Sequence, residues 1–279
     1  MGGIASRWYY VSSQASRLPS LTIDLQVDPA MTANRPRLPL ELLYTIVHLV
    51  PASDLQPLLY SSSALRRETQ RLLYRDIDLS TRTPGDIRKV ALMVPYIGCL
   101  VRSFTIGEVV ESDNTSILAI LDLTLNLTDL NIQRKGGHYR IETDFIPTHP
   151  CFRLKSFRLW GLIRPSTLRS FLQTQRETLV HLEAQALGHA LNSGFAFTLP
   201  QLRVFKTRNS FLLQTVLEQN TVVCIDGHIP VSTAPGETFP SIKAIKCRSF
   251  RRIFSALPAL FPNLRFLEFF VVSTLSPSP

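Results

Sequence analysis

Residues able to carry out covalent chemistry are few in this chain of 279 residues, and they are scattered. The histidines (His48, His138, His149, His181, His189, His228) and cysteines (Cys99, Cys151, Cys224, Cys247) fall singly. No spacing among them would gather a metal ion or pair two thiols. No Gly-x-Ser-x-Gly turn presents a nucleophile, no glycine-rich loop leads into a phosphate-binding Lys, and no His-Glu-x-x-His sets two ligands beside a base. Gly136-Gly137 is an isolated pair beside His138 and Tyr139. No catalytic, cofactor or metal site is expected, and the chain reads as a non-enzyme. The chemistry on offer is non-covalent. Lys206 with Arg208, Lys246 with Arg248, and Arg158 with Trp160 each stand two apart, the spacing that puts both side chains on one face of a strand. Such groups hold carboxylates or phosphates through charge-assisted hydrogen bonds.

Two kinds of element must position these groups. From Leu38 to Leu79 the sequence predicts three short helices and a strand. Pro39 suits a first helical position, where its missing N–H is no loss. Leu42, Leu43, Ile46, Leu49 and Val50 recur at helical spacing, and Pro51 ends the run. Asp54 is placed to cap a second helix with Leu55, Leu58 and Leu59. A third, from about Ala64 to Tyr74, buries Leu65, Leu72 and Leu73 and shows Arg66, Arg67, Glu68, Gln70 and Arg71 to water. Ile77 and Leu79 then alternate with Asp76 and Asp78, the period of a strand.

This stretch resembles an F-box. The resemblance rests on Leu38, Pro39, Glu41, Leu42, Leu43 and Ile46, then Asp54, Leu55 and Leu58, then Ser61 to Ser63, Arg66, and the closing Leu73, Tyr74, Arg75 and Ile77. Leu65 stands where many members of the family carry Trp. The resemblance implies that Leu38, Pro39, Leu42, Ile46, Leu55 and Leu58 grip the adaptor subunit of a cullin–RING ubiquitin ligase. Three short helices cannot enclose so many large apolar groups, which leaves some for a partner.

After Leu79 a Leu-x-x-Leu-x-Leu pattern returns, the signature of leucine-rich solenoids. Its copies open at Val101, Leu127, Leu154, Leu179, Leu202, Val222, Ile242 and Leu264, 20 to 27 residues apart. Helices are expected between them over Ile117–Leu125, Leu168–Glu177, Phe211–Glu218 and Phe250–Leu257, each preceded by Ser or Thr. A strand and helix repeated in this way hide their apolar faces against their neighbours, giving a curved stack with a parallel sheet inside. The Asn that usually follows the strand in regular leucine-rich repeats is absent, and Gly227 interrupts the sixth copy. The inner face should carry Arg158, Trp160, Glu183, Gln185, Lys206, Arg208, Asp226, His228, Lys246, Arg248, Glu268 and Phe270. Its cations Arg158, Lys206, Arg208, Lys246 and Arg248, with Trp160, are expected to form a positive stripe for an acidic or phosphorylated segment of a target protein.

The expected organisation is α/β. It comprises a disordered leader (1–34), a three-helix F-box-like module (35–79), an irregular leucine-rich-repeat-like solenoid (80–272) and a disordered tail (273–279). A net charge of +9 and a pI near 9.7 would suit nucleic acid, but the basic residues are dispersed, which makes nucleic acid an unlikely partner. The alternative function is a solenoid scaffold that binds an acidic protein or nucleic acid without ligase assembly. No apolar run approaches the roughly 20 residues that span a bilayer. Unpaired cysteines fit a reducing cytoplasmic or nuclear setting. Gly2 with Ser6 fits a myristoylation pattern, and Met31 offers a second start.

Overall fold

The computed structural model describes residues 39–51, 54–81, 83–107, 113–133, 145–160, 165–184, 198–207, 222–227, 238–247 and 257–269. The leader, Leu38, Arg208, Arg248, the inner-face positions 185, 228 and 270, the helix expected over 211–218 and the tail all lie outside them. The chain divides into two compact units, residues 1–76 and 77–279.

The first unit holds α1 (Leu40–Leu49), α2 (Leu55–Leu58) and α3 (Ser63–Leu73). Pro39 precedes α1 and its carbonyl accepts from the N–H groups of Leu42 and Leu43. Asp54 sits at the cap position of α2, but its side chain makes no capping bond there. At α3 the cap is Ser62, whose hydroxyl accepts from the Leu65 N–H at 3.3 Å. Val47, Leu55 and Leu73 form a small core, with Val50, Leu58, Leu59, Leu65, Leu72 and Tyr74 packed around it. Arg66 donates from Nε to the Leu59 carbonyl at 2.8 Å, tying α3 to the end of α2.

The second unit is built on a nine-stranded sheet, with β1 (Asp76–Leu79) running into it from the first unit. After it come β2 (Ser103–Ile106), β3 (Asp129–Ile132), β4 (Ser156–Leu159) and β5 (His181–Ala184). Then follow β6 (Val204–Thr207), β7 (Cys224–Gly227), β8 (Ala244–Cys247) and β9 (Phe266–Phe269). Spatial order follows sequence order, and every pairing from β2 to β9 is parallel. The helices are α4 (Pro84–Ile97), α5 (Asn114–Leu123), α6 (Pro165–Gln175) and α7 (Leu257–Leu260). The chain is α/β, as expected. Two expected helices begin three residues early, α5 at Asn114 and α6 at Pro165, while α4 was not foreseen. Its signal is local: the Asp86 carboxylate accepts from the Thr83 N–H at 3.2 Å and the Thr83 hydroxyl at 2.9 Å, just ahead of Pro84.

Equivalent strands stack in register, so the apolar column of second residues is continuous. Phe104, Leu130, Phe157, Leu182, Phe205, Ile225, Ile245 and Leu267 are successive neighbours. The residues that open the copies, from Val101 to Ile242, are buried as the pattern requires. One backbone device recurs. The carbonyl of Arg102 accepts from both Thr128 and Asp129, and those of Thr128, Lys155, Val180, Arg203, Val223 and Lys243 each accept from two N–H groups of the following copy in the same way.

Polar side chains join successive copies. Asn126, just before Leu127, donates to the Cys99 carbonyl at 2.8 Å; Asn263, just before Leu264, donates to that of Pro240 at 2.9 Å. Thr207 occupies an apolar column but donates its hydroxyl to the Ala184 carbonyl at 2.8 Å, which makes burial tolerable. Gln175 is wholly buried at the end of α6. Its Oε1 accepts from the Leu154 N–H at 2.7 Å and its Nε2 donates to the Phe152 carbonyl at 3.4 Å. Gln175→Leu keeps the bulk but leaves the Leu154 N–H without that acceptor, so unfolding free energy should fall by about 1–3 kcal/mol. Urea titration measures this, and an unchanged midpoint would show that Gln175 is not a structural link.

Candidate functional site

Two surfaces carry the residues singled out from sequence, one on each unit. On α1 the apolar positions divide into two stripes. Val47 and Val50 turn towards the small core and Leu43 is half-buried, whereas Leu42, Ile46 and Leu49, spaced four and three apart, stay in water. Leu42 is 50% and Ile46 44% exposed, Leu49 more so, and Pro39 is exposed beside them in sequence. Tyr44 and Tyr60 add exposed aromatic surface on the same unit.

Leu55 departs from the expectation. It is 1% exposed, enclosed by Val47 and Leu73 in the centre of its own unit, and offers nothing to a partner. Leu58 is half-buried against that core and presents only an edge. The reason is helix length: α2 has a single turn, so its apolar side chains are consumed in joining α1 to α3.

Glu68 was expected in solvent and is buried instead. Arg71 forks onto its carboxylate, with Nη2 to Oε1 at 2.6 Å and Nε to Oε2 at 2.9 Å, and His48 Nε2 approaches Oε1 at 3.4 Å. The Arg71 hydrogen bonds hold the Glu68 carboxyl below its usual range against the opposing pull of burial. This group ties α3 to the end of α1.

On the sheet, the third residue of each strand forms a row on the face opposite the apolar columns. From β4 to β9 it reads Arg158, Glu183, Lys206, Asp226, Lys246, Glu268, each the register partner of the next. This corrects the expected positive stripe. Lys206 Nζ lies 3.0 Å from Glu183 and 3.5 Å from Asp226, and Lys246 Nζ lies 2.9 Å from Glu268. In-register strands stand about 4.8 Å apart, so a row of like charges would repel at every step, and alternating signs relieve it. Arg208 and Arg248 lie outside the described residues.

Arg158 and Trp160 are both exposed. Their neighbour His181, first residue of β5, is half-buried. Burial pushes its imidazole below the usual value, and the positive field of Arg158 adds to this; Lys206 acts the same way, Glu183 and Asp129 oppose. The ring is therefore neutral at pH 7.

No helix among the described residues is long and apolar enough to cross a membrane. No protein-family model matches the chain, and no curated protein matches it.

Two measurements test these electrostatics. The Glu183 side chain is 6% exposed and that of Glu268 37%, so removing their lysines should not cost the same. Lys206→Ala should destabilise by about 1–3 kcal/mol, since it takes an ion pair from a buried carboxylate, while Lys246→Ala should cost under about 1 kcal/mol. Equal losses in chemical unfolding would contradict the burial difference. For Glu68 the sign is set by its depressed folded value. Its stabilisation is present above the ordinary glutamate value of about 4.3 and is lost as pH falls through the lower folded value. Glu68→Gln should flatten this acid limb of the stability profile.

Proposed function

We propose that this chain is the substrate-recognition subunit of a cullin–RING ubiquitin ligase, with an F-box-like first unit and a divergent leucine-rich-repeat-like second unit. The observation that carries the reading is the second apolar stripe of α1. Leu42, Ile46 and Leu49 lie in water while other residues, Val47 and Val50, serve the internal core. Full burial of each such side chain contributes about 1.5–3 kcal/mol, so a complementary partner groove gains several kilocalories from three anchors. An adaptor that buries these residues is the occupant implied by the F-box resemblance, and the adaptor-binding set becomes Pro39, Leu42 and Ile46 with the exposed edge of Leu58. Leu38 belongs to it by sequence alone, and Leu55 leaves it.

The solenoid reading of the second unit is supported by strands that recur every 20–27 residues, advance in one direction and share one backbone device at each step. In this reading the protein performs no chemistry. It holds a target near an activated ubiquitin carrier and raises the effective concentration of the two. A nucleic-acid scaffold draws less support, because Lys206 and Lys246 already face carboxylates.

Co-expression of the intact chain with the ligase adaptor tests the proposal. The pair should co-purify, and Leu42→Asp with Ile46→Asp should abolish this while leaving thermal unfolding nearly unchanged, because both positions are exposed in the free chain. Leu55→Asp should unfold the first unit. Adaptor retained by the double variant would sink the reading.

A further inference from the structure

The row of charges on the open face of the sheet is closed at one end and open at the other. Glu183 and Asp226 both meet Lys206, and Glu268 meets Lys246. Arg158 begins the row, and among the described residues it has no ion pair or hydrogen bond. The carboxylate it would otherwise share, Glu183 on β5, is engaged by Lys206 on the far side. On its other side, on β3, stands Asn131, whose Oδ1 is buried from solvent and has no hydrogen-bond partner. Asp129, two residues earlier on β3, accepts from the Thr128 hydroxyl at 2.7 Å.

Trp160 lies two residues beyond Arg158, and its N–H continues the sheet ladder by donating to the Ile132 carbonyl at 2.8 Å. Strand alternation therefore sets the indole on the same face as the guanidinium, and both are exposed. Among the described residues this patch combines a cation without a counter-ion and a flat apolar surface.

We propose that the open face of β3–β5, centred on Arg158 and Trp160, docks an extended acidic peptide segment whose Asp or Glu carboxylate is held by the Arg158 guanidinium. This rests on reading the second unit as the target-binding part. The carboxylate takes the forked donors of Arg158, and an adjoining side chain lies on Trp160. His181 is neutral and adds no competing cation. Binding is thereby narrowed from the stripe expected between Arg158 and Arg248 to its Arg158 and Trp160 end.

The test uses the full chain carrying Trp8→Phe, which leaves Trp160 as its one tryptophan. The probe is a fluorescein-labelled nonapeptide alternating Glu and Val, with a Gln-for-Glu version and inorganic phosphate as separate arms. Saturable anisotropy and a change in Trp160 emission are expected with the Glu peptide. Gln replacement, Arg158→Gln and Trp160→Ala should each weaken binding by at least about fivefold, and phosphate should not displace the peptide. A smaller loss in these arms, displacement by phosphate, or no saturable binding overturns the proposal. Should Arg158→Gln fail to fold, Trp160→Ala and the Gln peptide carry the same decision. Adaptor co-purification is read on the same chain. Its loss with peptide binding intact counts against the ligase reading, and the reverse counts against this docking site.

Discussion

In-register parallel stacking is the constraint on which the second unit depends. Each strand has four residues, and from β2 to β9 three or four of them lie directly beside their equivalents in the next copy. Equivalent positions thus become nearest neighbours at about 4.8 Å, whatever their separation in sequence. Three consequences follow. Apolar positions form unbroken columns, a polar residue in a column must find a carbonyl, as Thr207 does, and charged positions must be compatible with the copies on both sides. The row from Arg158 to Glu268 meets the last condition by alternating sign. The carbonyl that accepts two N–H groups at each step keeps the register from sliding, and a slip of one residue would turn the whole charged row into the core.

Much of this arrangement was legible because it is periodic. The openings from Val101 to Leu264 locate all strands from β2 to β9, and the sequence between Leu38 and Leu79 places three helices and β1 close to their observed bounds. What stayed hidden depends on relations across copies. Lys206 and Lys246, taken each with its own strand, look like a basic stripe; only the register shows Glu183, Asp226 and Glu268 beside them. Gln175, Asn126 and Asn263 escaped notice for the same reason, since their partners lie 21 to 27 residues away. Helix α4 falls between β1 and the first opening, where no repeat marks it, although Thr83, Pro84 and Asp86 give its start.

The first unit fails to be legible in a different way. Its helices are short enough that periodicity names apolar positions without saying which face is spent inside. Leu42, Leu43, Ile46 and Leu49 look like one face in sequence, yet Val47 is the residue at the centre of the core. Glu68 was misread because a charged side chain on a helix is usually solvated. Here burial is tolerable since Arg71 satisfies both oxygens and His48 approaches one of them.

A row that neutralises itself also changes what a basic protein can recognise. The net charge of +9 invites the idea of a broad attraction for anions. Lysines locked between carboxylates contribute little to such a field, because each opposite pair cancels beyond roughly a Debye length. In the proposed docking, selectivity then falls to the place where alternation stops. There a single guanidinium can exchange water for a ligand carboxylate without first breaking an internal pair, so the free energy of the new contact is not offset by the loss of an old one. The same stacking that hides most of the charge thus determines where on the sheet charge remains available.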